Sequence, residues 1–200
     1  MYKINKNLKF IIFLLFFHYA WSSSVDPDNS TSHLKTIIFG AGCFWSVEKK
    51  FQETYGVVDV QSGYADGKNI SPSYKEIIKR ENRFNPNNYA EVVKVTYNSN
   101  KTSLENLLKT FFELHDPTQE NRQGNDIGVQ YRSLILTSTD EENSLSNEIK
   151  NKYQNLLTKA GYGSIKTDIK NFTNFYLAEN YHQDYLKKNP NGYCPDYSTG

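Results

Sequence analysis

Two hundred residues and 23.1 kDa accommodate one domain, or two small ones at most. With 38% hydrophobic, 14% aromatic and 22% charged residues, the chain is not collagen-like, coiled-coil or disordered. Lys+Arg 23 against Asp+Glu 22 leaves +1, which argues against a nucleic-acid surface, and two cysteines, Cys43 and Cys194, exclude a four-thiolate zinc site and a disulfide-dense scaffold.

The chain opens on Lys3, Lys6 and Lys9, with no acid before Asp26, followed by an unbroken apolar run over residues 10–17. A spanning helix needs roughly 20 apolar residues. The shorter run and its basic flank fit a secretory signal peptide over residues 1–24, cleaved near residues 20–24. An address in the secretory pathway or outside the cell is therefore expected. The alternatives are an uncleaved anchor or a bipartite organelle signal. Residues 25–34 lack an apolar period and read as a linker. Asn29, Asn69, Asn100 and Asn171 head N-x-S/T sequons, acceptors for sugar if the chain is secreted.

From residue 35 the pattern alternates. Residues 35–40 predict an apolar strand that runs into Gly40-Ala41-Gly42. Phe44, Val47 and Phe51 then recur at helical spacing. Residues 57–63 predict a strand, 63–67 a turn and 73–79 a short helix. Over residues 90–97 the alternation puts Glu91, Val93, Val95 and Tyr97 on one face. Thr102 and Glu105 form a capping box before a helix with the stripe Leu104, Leu107, Leu108, Phe111 and Phe112. Residues 131–137 predict a strand. Residues 141–159 predict a helix carrying Leu145, Ile149, Leu156 and Leu157, stopped by Gly161 and Gly163. Residues 165–170 predict a strand and 176–188 a helix. Residues 189–200 form a loop-rich tail. The sum is a single α+β domain over residues 35–188, helices packed around a mixed or antiparallel sheet.

Cys43 stands where a strand turns through glycines into a helix. The unpaired N–H groups and positive end of that helix favour a thiolate nucleophile. A buried structural cysteine is the alternative. Trp45 has Glu48, Lys49 and Gln52 as its helical companions, so it reads as the wall of a pocket for an apolar, uncharged group. Phe44 shares the core stripe. Cys194 lies in a Gly/Pro coil, with 150 residues between it and Cys43. A fixed disulfide closing such a loop stabilises by roughly 4–5 kcal/mol in the chain-entropy model. A mobile resolving thiol fits the same coil. The spacing does not separate the two.

The run Gly42-Cys43-Phe44-Trp45 followed by Glu48 resembles the A-type peptide methionine sulfoxide reductases. So do Pro72-Ser73-Tyr74, Ala90-Glu91, the stretch His115-Asp116-Pro117-Thr118-Gln119, Arg122 to Asp126, Gln130-Tyr131-Arg132-Ser133, and Gly192-Tyr193-Cys194. Their order and separations make the resemblance specific over residues 35–194. It implies an α/β sandwich, ferredoxin-like in outline, with a coiled tail. It also implies thiol-dependent reduction of methionine (S)-sulfoxide in oxidised proteins. Cys43 would be the nucleophile, with protonated Glu91 and the hydroxyls of Tyr74 and Tyr131 meeting the sulfoxide oxygen. Asp126 would order a water, Phe44 and Trp45 would surround the substrate methyl, and Cys194 would resolve a Cys43 sulfenic acid. Burial of Glu91 on its apolar strand face is expected to keep it protonated. The resemblance implies no bound cofactor or metal, an external thioredoxin-type dithiol, a monomer, and no nucleic-acid or membrane partner beyond the N-terminal segment.

The chain departs from that pattern at Tyr89, where many relatives have His, in the Asn-rich residues 83–88, and at Ile127. With only two cysteines the donor is expected to attack the Cys43–Cys194 bond directly. The rival readings are a secreted module with a permanent Cys43–Cys194 staple and another thiol enzyme, a peroxidase or a cysteine hydrolase. The hydrolase would need His33, His115 or His182 beside the thiol. His115 reads as a helix C-terminus.

Overall fold

The computed structural model describes residues 33–193 and 198–199. The proposed signal peptide, the Asn29 sequon, most of the linker and Cys194 lie outside the described residues. Chain order is β1 (Leu34–Ala41), α1 (Phe44–Gln52), β2 (Val57–Ala65), α2 (Tyr74–Ile77), β3 (Ala90–Asn98), α3 (Leu104–Glu113), β4 (Arg122–Gln123), β5 (Asp126–Ile127), β6 (Ser133–Thr137), α4 (Asp140–Lys159), β7 (Asp168–Asn171), β8 (Phe175–Leu177) and α5 (Tyr185–Lys188).

Six strands form one sheet in the order β7-β6-β1-β3-β2-β8, and β4 pairs with β5 in a separate hairpin. Among the described strands of this sheet only β6 and β7 run parallel. The central order β6-β1-β3-β2, with α1 and α3 as crossovers, follows the ferredoxin-like plan. The added strands β7 and β8 make that outline approximate.

The strands alternate as their sequences demand. Phe39, Tyr64, Val93, Val95 and Ile135 pack on one face, against α1, α3 and α4. The ring of Phe39 lies between Phe51 of α1 and Phe111 of α3, with centroids 4.9 and 5.0 Å away. Such offset aromatic pairs contribute about 1 kcal/mol each beyond area burial. Ile38, Ala90, Val92, Leu134 and Leu136 line the opposite face, which the Phe175 ring covers.

Four local expectations change. β2 runs on to Ala65, into the turn expected over residues 63–67. Ser103, not Thr102, caps α3, its hydroxyl accepting the Asn106 N–H at 3.2 Å. Leu156 is exposed although the helix stripe includes it. The helix expected over residues 176–188 is reduced to α5; Phe175–Leu177 is instead a strand on β2. Gly63 makes that pairing fit, since a side chain there would put Cβ 2.4 Å from the Phe175 ring.

Candidate active site

The end of β1 delivers Cys43 to the start of α1. Cys43 is the N-cap residue, with φ −57° and ψ 120°, and Phe44 begins the helix. The N–H of Phe44 would be unpaired within the helix. It donates instead to Oε2 of Glu91, 3.2 Å away, from the neighbouring strand β3. Glu91 is buried, on the same face as Val93 and Val95. This single bond fixes the carboxyl group one residue from the sulfur.

Burial raises the Glu91 carboxyl to about 8, opposed by the Phe44 N–H and reinforced by the charge of Asp126. At neutral pH it is mostly a carboxylic acid. The Cys43 thiol is also pushed well up, first by burial and then by the Glu91 and Asp126 carboxylates. The N–H groups of Trp45 and Ser46 pull the other way, as a helix start should. Desolvation outweighs them, so the expectation of a resting thiolate gives way to a resting thiol.

Tyr74, Tyr131 and Asp126 all lie close enough to feel or exert charge at Cys43 and Glu91. The Tyr74 hydroxyl is pushed up to about 12 by burial and by the charges of Glu91 and Cys43. Burial raises Tyr131 further, with Glu91, Tyr74, Asp126 and Cys43 all acting on it. Both phenols therefore keep their protons and can donate. Asp126, in the small hairpin, is raised by burial, and the Tyr193 hydroxyl lies 3.4 Å from each of its oxygens. The residue before Cys194 thus sits beside the site.

Phe44 is a core residue whose ring stands 4.9 Å from that of His182. Trp45 is half-buried and held from two sides. Its ring stacks on Tyr185 at 3.7 Å and 13°, and Nε1–H donates to Nδ1 of His182 at 3.1 Å. The face of α1 beneath it is less polar in effect than its sequence. Glu48 is buried, and its carboxyl, raised by burial, accepts backbone N–H groups of Asp184 and Tyr185.

Glu179, which sequence reasoning missed, and His182, which it named only as a possible hydrolase base, organise this wall. Glu179 accepts the Tyr64 hydroxyl at 2.6 Å and the Tyr74 N–H at 3.0 Å. His182 accepts from Trp45, so its proton sits on Nε2, 4.0 Å from a Glu179 oxygen. Both lie where a helix was expected. Their signal was the cluster of Glu, Tyr and His over residues 179–185, which has no helical apolar period.

Neither His115 nor His182 offers a free base to the thiol. His115 lies at the end of α3 and lines a cavity of about 20 Å3 with Cys43, Ser46 and Gln123. Its Nδ1–H donates to the Phe111 carbonyl at 2.7 Å, and Nε2 accepts from Ser133 at 2.8 Å. Burial lowers it to about 4. A cysteine hydrolase finds no support in this arrangement. Among the described residues no group of three His, Cys, Asp or Glu side chains stands close enough to hold a metal ion.

A family model described as peptide methionine sulfoxide reductase matches residues 35–199. The chain is 47% identical over 163 residues to the mitochondrial peptide methionine sulfoxide reductase of Homo sapiens, covering 82% of this chain and 67% of that one. The solved structure of methionine sulfoxide reductase A of Corynebacterium diphtheriae is similar at TM-score 0.75 and 40% identity, over 86% of this chain and 82% of that one. A solved structure of Mxr1 from Saccharomyces cerevisiae in complex with Trx2 is similar at TM-score 0.54 and 25% identity, over 82% and 88%. The thiol and buried acid at the start of α1 thus stand in a chain that belongs to the A-type peptide methionine sulfoxide reductases, enzymes that reduce methionine sulfoxide at the expense of thiols.

Proposed function

We propose that the chain reduces the S epimer of methionine sulfoxide in oxidised proteins by a two-cysteine cycle through Cys43 and Cys194. The observation that carries the reading is the Glu91 carboxyl group, raised to about 8 and bonded to the N–H of Phe44, next to the thiol. The Cys43 sulfur attacks the sulfoxide sulfur, and Glu91 gives its proton to the oxygen. The Tyr74 and Tyr131 hydroxyls donate to that oxygen as charge builds on it. The sulfur–oxygen bond and the transient bond between the Cys43 and methionine sulfurs both break, the protonated oxygen passes to the Cys43 sulfur, and the methionine sulfur keeps the electron pair that Cys43 loses. Cys43 becomes a sulfenic acid, and the proton of its thiol returns to Glu91. Trp45, with Phe44 behind it, encloses the methyl group, and Asp126 orders a water beside the sulfur.

Cys194 then condenses with the sulfenic acid and expels water. A thioredoxin-type dithiol exchanges with the Cys43–Cys194 disulfide and returns both thiols. The Tyr193–Asp126 contact supports a resolving role for the next residue, and the solved complex of the yeast relative with Trx2 supports the donor class.

The test is mass spectrometry of reduced protein given stoichiometric methionine sulfoxide without a donor. The expected product has lost a hydrogen pair, localised to the peptides of Cys43 and Cys194. Cys194→Ser is expected to release methionine in one turnover and to leave a sulfenic acid trapped by dimedone. A Cys43→Ser enzyme that still turned over at the wild-type rate would end the proposal. A disulfide that thioredoxin cannot reduce would point to a permanent staple.

A further inference from the structure

The Asn-rich segment between α2 and β3 is tied down on both flanks. Asn82 Nδ2 donates to the Glu76 carbonyl at 2.8 Å. The buried Asn88 Nδ2 donates to the carbonyls of Ile77 and Asn82 at 2.8 and 3.0 Å. On the other side the Arg83 carbonyl accepts the Val129 N–H at 2.8 Å, and Arg83 Nε donates to the Ile127 carbonyl at 2.8 Å. The segment therefore bridges α2, which bears Tyr74, and residues 126–131, which bear Asp126 and Tyr131.

What this fixed segment offers solvent is apolar and cationic. Phe84 is 65% exposed and Ile78 44%. The Arg83 guanidinium lies 5.5 Å from the Phe84 ring centroid. Lys75, Arg80, Arg83 and Arg122 are exposed, and none forms an ion pair among the described residues. Lys79 is neutralised by Glu76 at 2.7 Å, and Glu81 is the one exposed carboxylate over residues 75–88. The exposed ring and the cations without carboxylate partners leave the outer face of the ordered segment open to a ligand.

We propose that this rim binds the polypeptide that flanks an oxidised methionine and favours flanks bearing carboxylates beside an apolar side chain. The inference rests on the reading of Cys43 as the reducing centre. Charge complementarity selects the occupant: an exposed phenylalanine with Arg83 at its ring, on and beside a segment whose other cations lack carboxylate partners, complements acidic, partly apolar chain. The rim borders the elements that hold the sulfoxide oxygen, so a polypeptide seated there presents its own side chain to Cys43.

The experiment compares N-acetylmethionine sulfoxide with matched peptides whose methionine sulfoxide is flanked by Asp and Phe or by Lys and Phe. The wild type is expected to show a lower KM for the acidic peptide, an advantage that shrinks as salt rises. Arg80→Glu and Phe84→Ser are each expected to raise that KM by about fivefold, the upper range for an exposed contact. KM for N-acetylmethionine sulfoxide should be unchanged. Equal wild-type KM values for the two peptides, or an equal loss with N-acetylmethionine sulfoxide, would overturn the proposal. So would an effect confined to the KM for thioredoxin, which would make the rim a donor site. A wild type that reduces none of these substrates would refute the reaction itself, and the rim with it.

Discussion

The indole N–H of Trp45 donates to Nδ1 of His182 across 3.1 Å, joining residues 137 positions apart in the chain. The bond fixes the angle of the pocket wall and the tautomer of the imidazole together. His182→Phe keeps an aromatic ring but removes the acceptor. An unsatisfied donor of this kind costs about 1 kcal/mol or more. The expected result is a KM for methionine sulfoxide raised about fivefold with kcat little changed, because the wall serves binding more than oxygen transfer. Steady-state kinetics, with Trp45 emission as a report on the ring, checks this.

Glu179 ties the same wall to the start of α2. Burial favours its neutral form, but the Tyr64 hydroxyl, the Tyr74 N–H and His182 outweigh that and keep it ionised. In Glu179→Gln only one amide oxygen remains to accept from both Tyr64 and Tyr74. The start of α2 loosens, and the Tyr74 hydroxyl is less well aimed. A fall in kcat of about tenfold is expected. Addition of Tyr74→Phe to Glu179→Gln should then cost little more, since both changes act through one hydroxyl. Fully additive losses would separate the two residues.

The acid and the thiol make a prediction with opposite signs at the two ends of the pH scale. Glu91 is protonated below about 8 and charged above it. Wild-type oxygen transfer should therefore fall as pH rises through that value. Glu91→Gln should lower turnover by about a hundredfold or more at pH 7, through loss of the proton donor. The same change removes a negative charge that raises the Cys43 thiol. Alkylation of Cys43 by iodoacetamide should then be faster in the variant than in the wild type at about pH 9, and nearly equal at about pH 6.5, where Glu91 is neutral. Equal rates at the higher pH would mean that the carboxylate does not act on the sulfur.

His115 links the same cavity to stability. Its value drops from 6.5 to about 4 in the folded protein because burial penalises the imidazolium. A depressed folded value means that the unfolded chain binds the proton more readily. The related stability is complete above about 6.5 and is lost as pH falls towards 4. The loss amounts to about 3 kcal/mol over that window. Urea midpoints should decline between pH 7 and pH 4.5, and His115→Gln should flatten the slope by the share of one proton.

What could be read from the sequence was whatever local pattern controls. Alternation over residues 90–97 placed Glu91 on the face of Val93 and Val95, and the glycines before Cys43 marked the turn into α1. Two features depended on partners far along the chain. Phe175–Leu177 becomes a strand only because β2 offers Gly63–Ala65 as an edge, and with that pairing Glu179 and His182 turn into the pocket. The proton affinity of Cys43 is likewise not local. The helix start lowers it as its sequence predicts, but burial and a carboxylate from β3 raise it by more. Cys194 and the N-terminal segment stand outside the described residues, so their readings rest on sequence.

Gly42 sets the position of the sulfur by two separate constraints. Its φ is +94°, a conformation that strains residues with a side chain, and a Cβ there would lie 2.7 Å from Cβ of Gln123. Gln123 cannot yield easily. Its amide accepts the Asp116 N–H at 3.1 Å and donates to the Asp116 carbonyl at 2.9 Å, which fastens it to the end of α3. Gly42→Ala must therefore either strain the backbone or move the turn that carries Cys43 away from Glu91. A loss of about 2 kcal/mol is expected, or about 4–8 °C in Tm for a domain of this size. Turnover should fall by more than stability alone explains, because the thiol and the acid no longer meet. Gly163→Ala is the matched control: its φ is not positive and nothing stands within 4 Å of the added carbon, so Tm and turnover should stay near wild type. Calorimetry and single-turnover rates on the two variants decide whether the Gly42 turn positions the sulfur or only closes the chain.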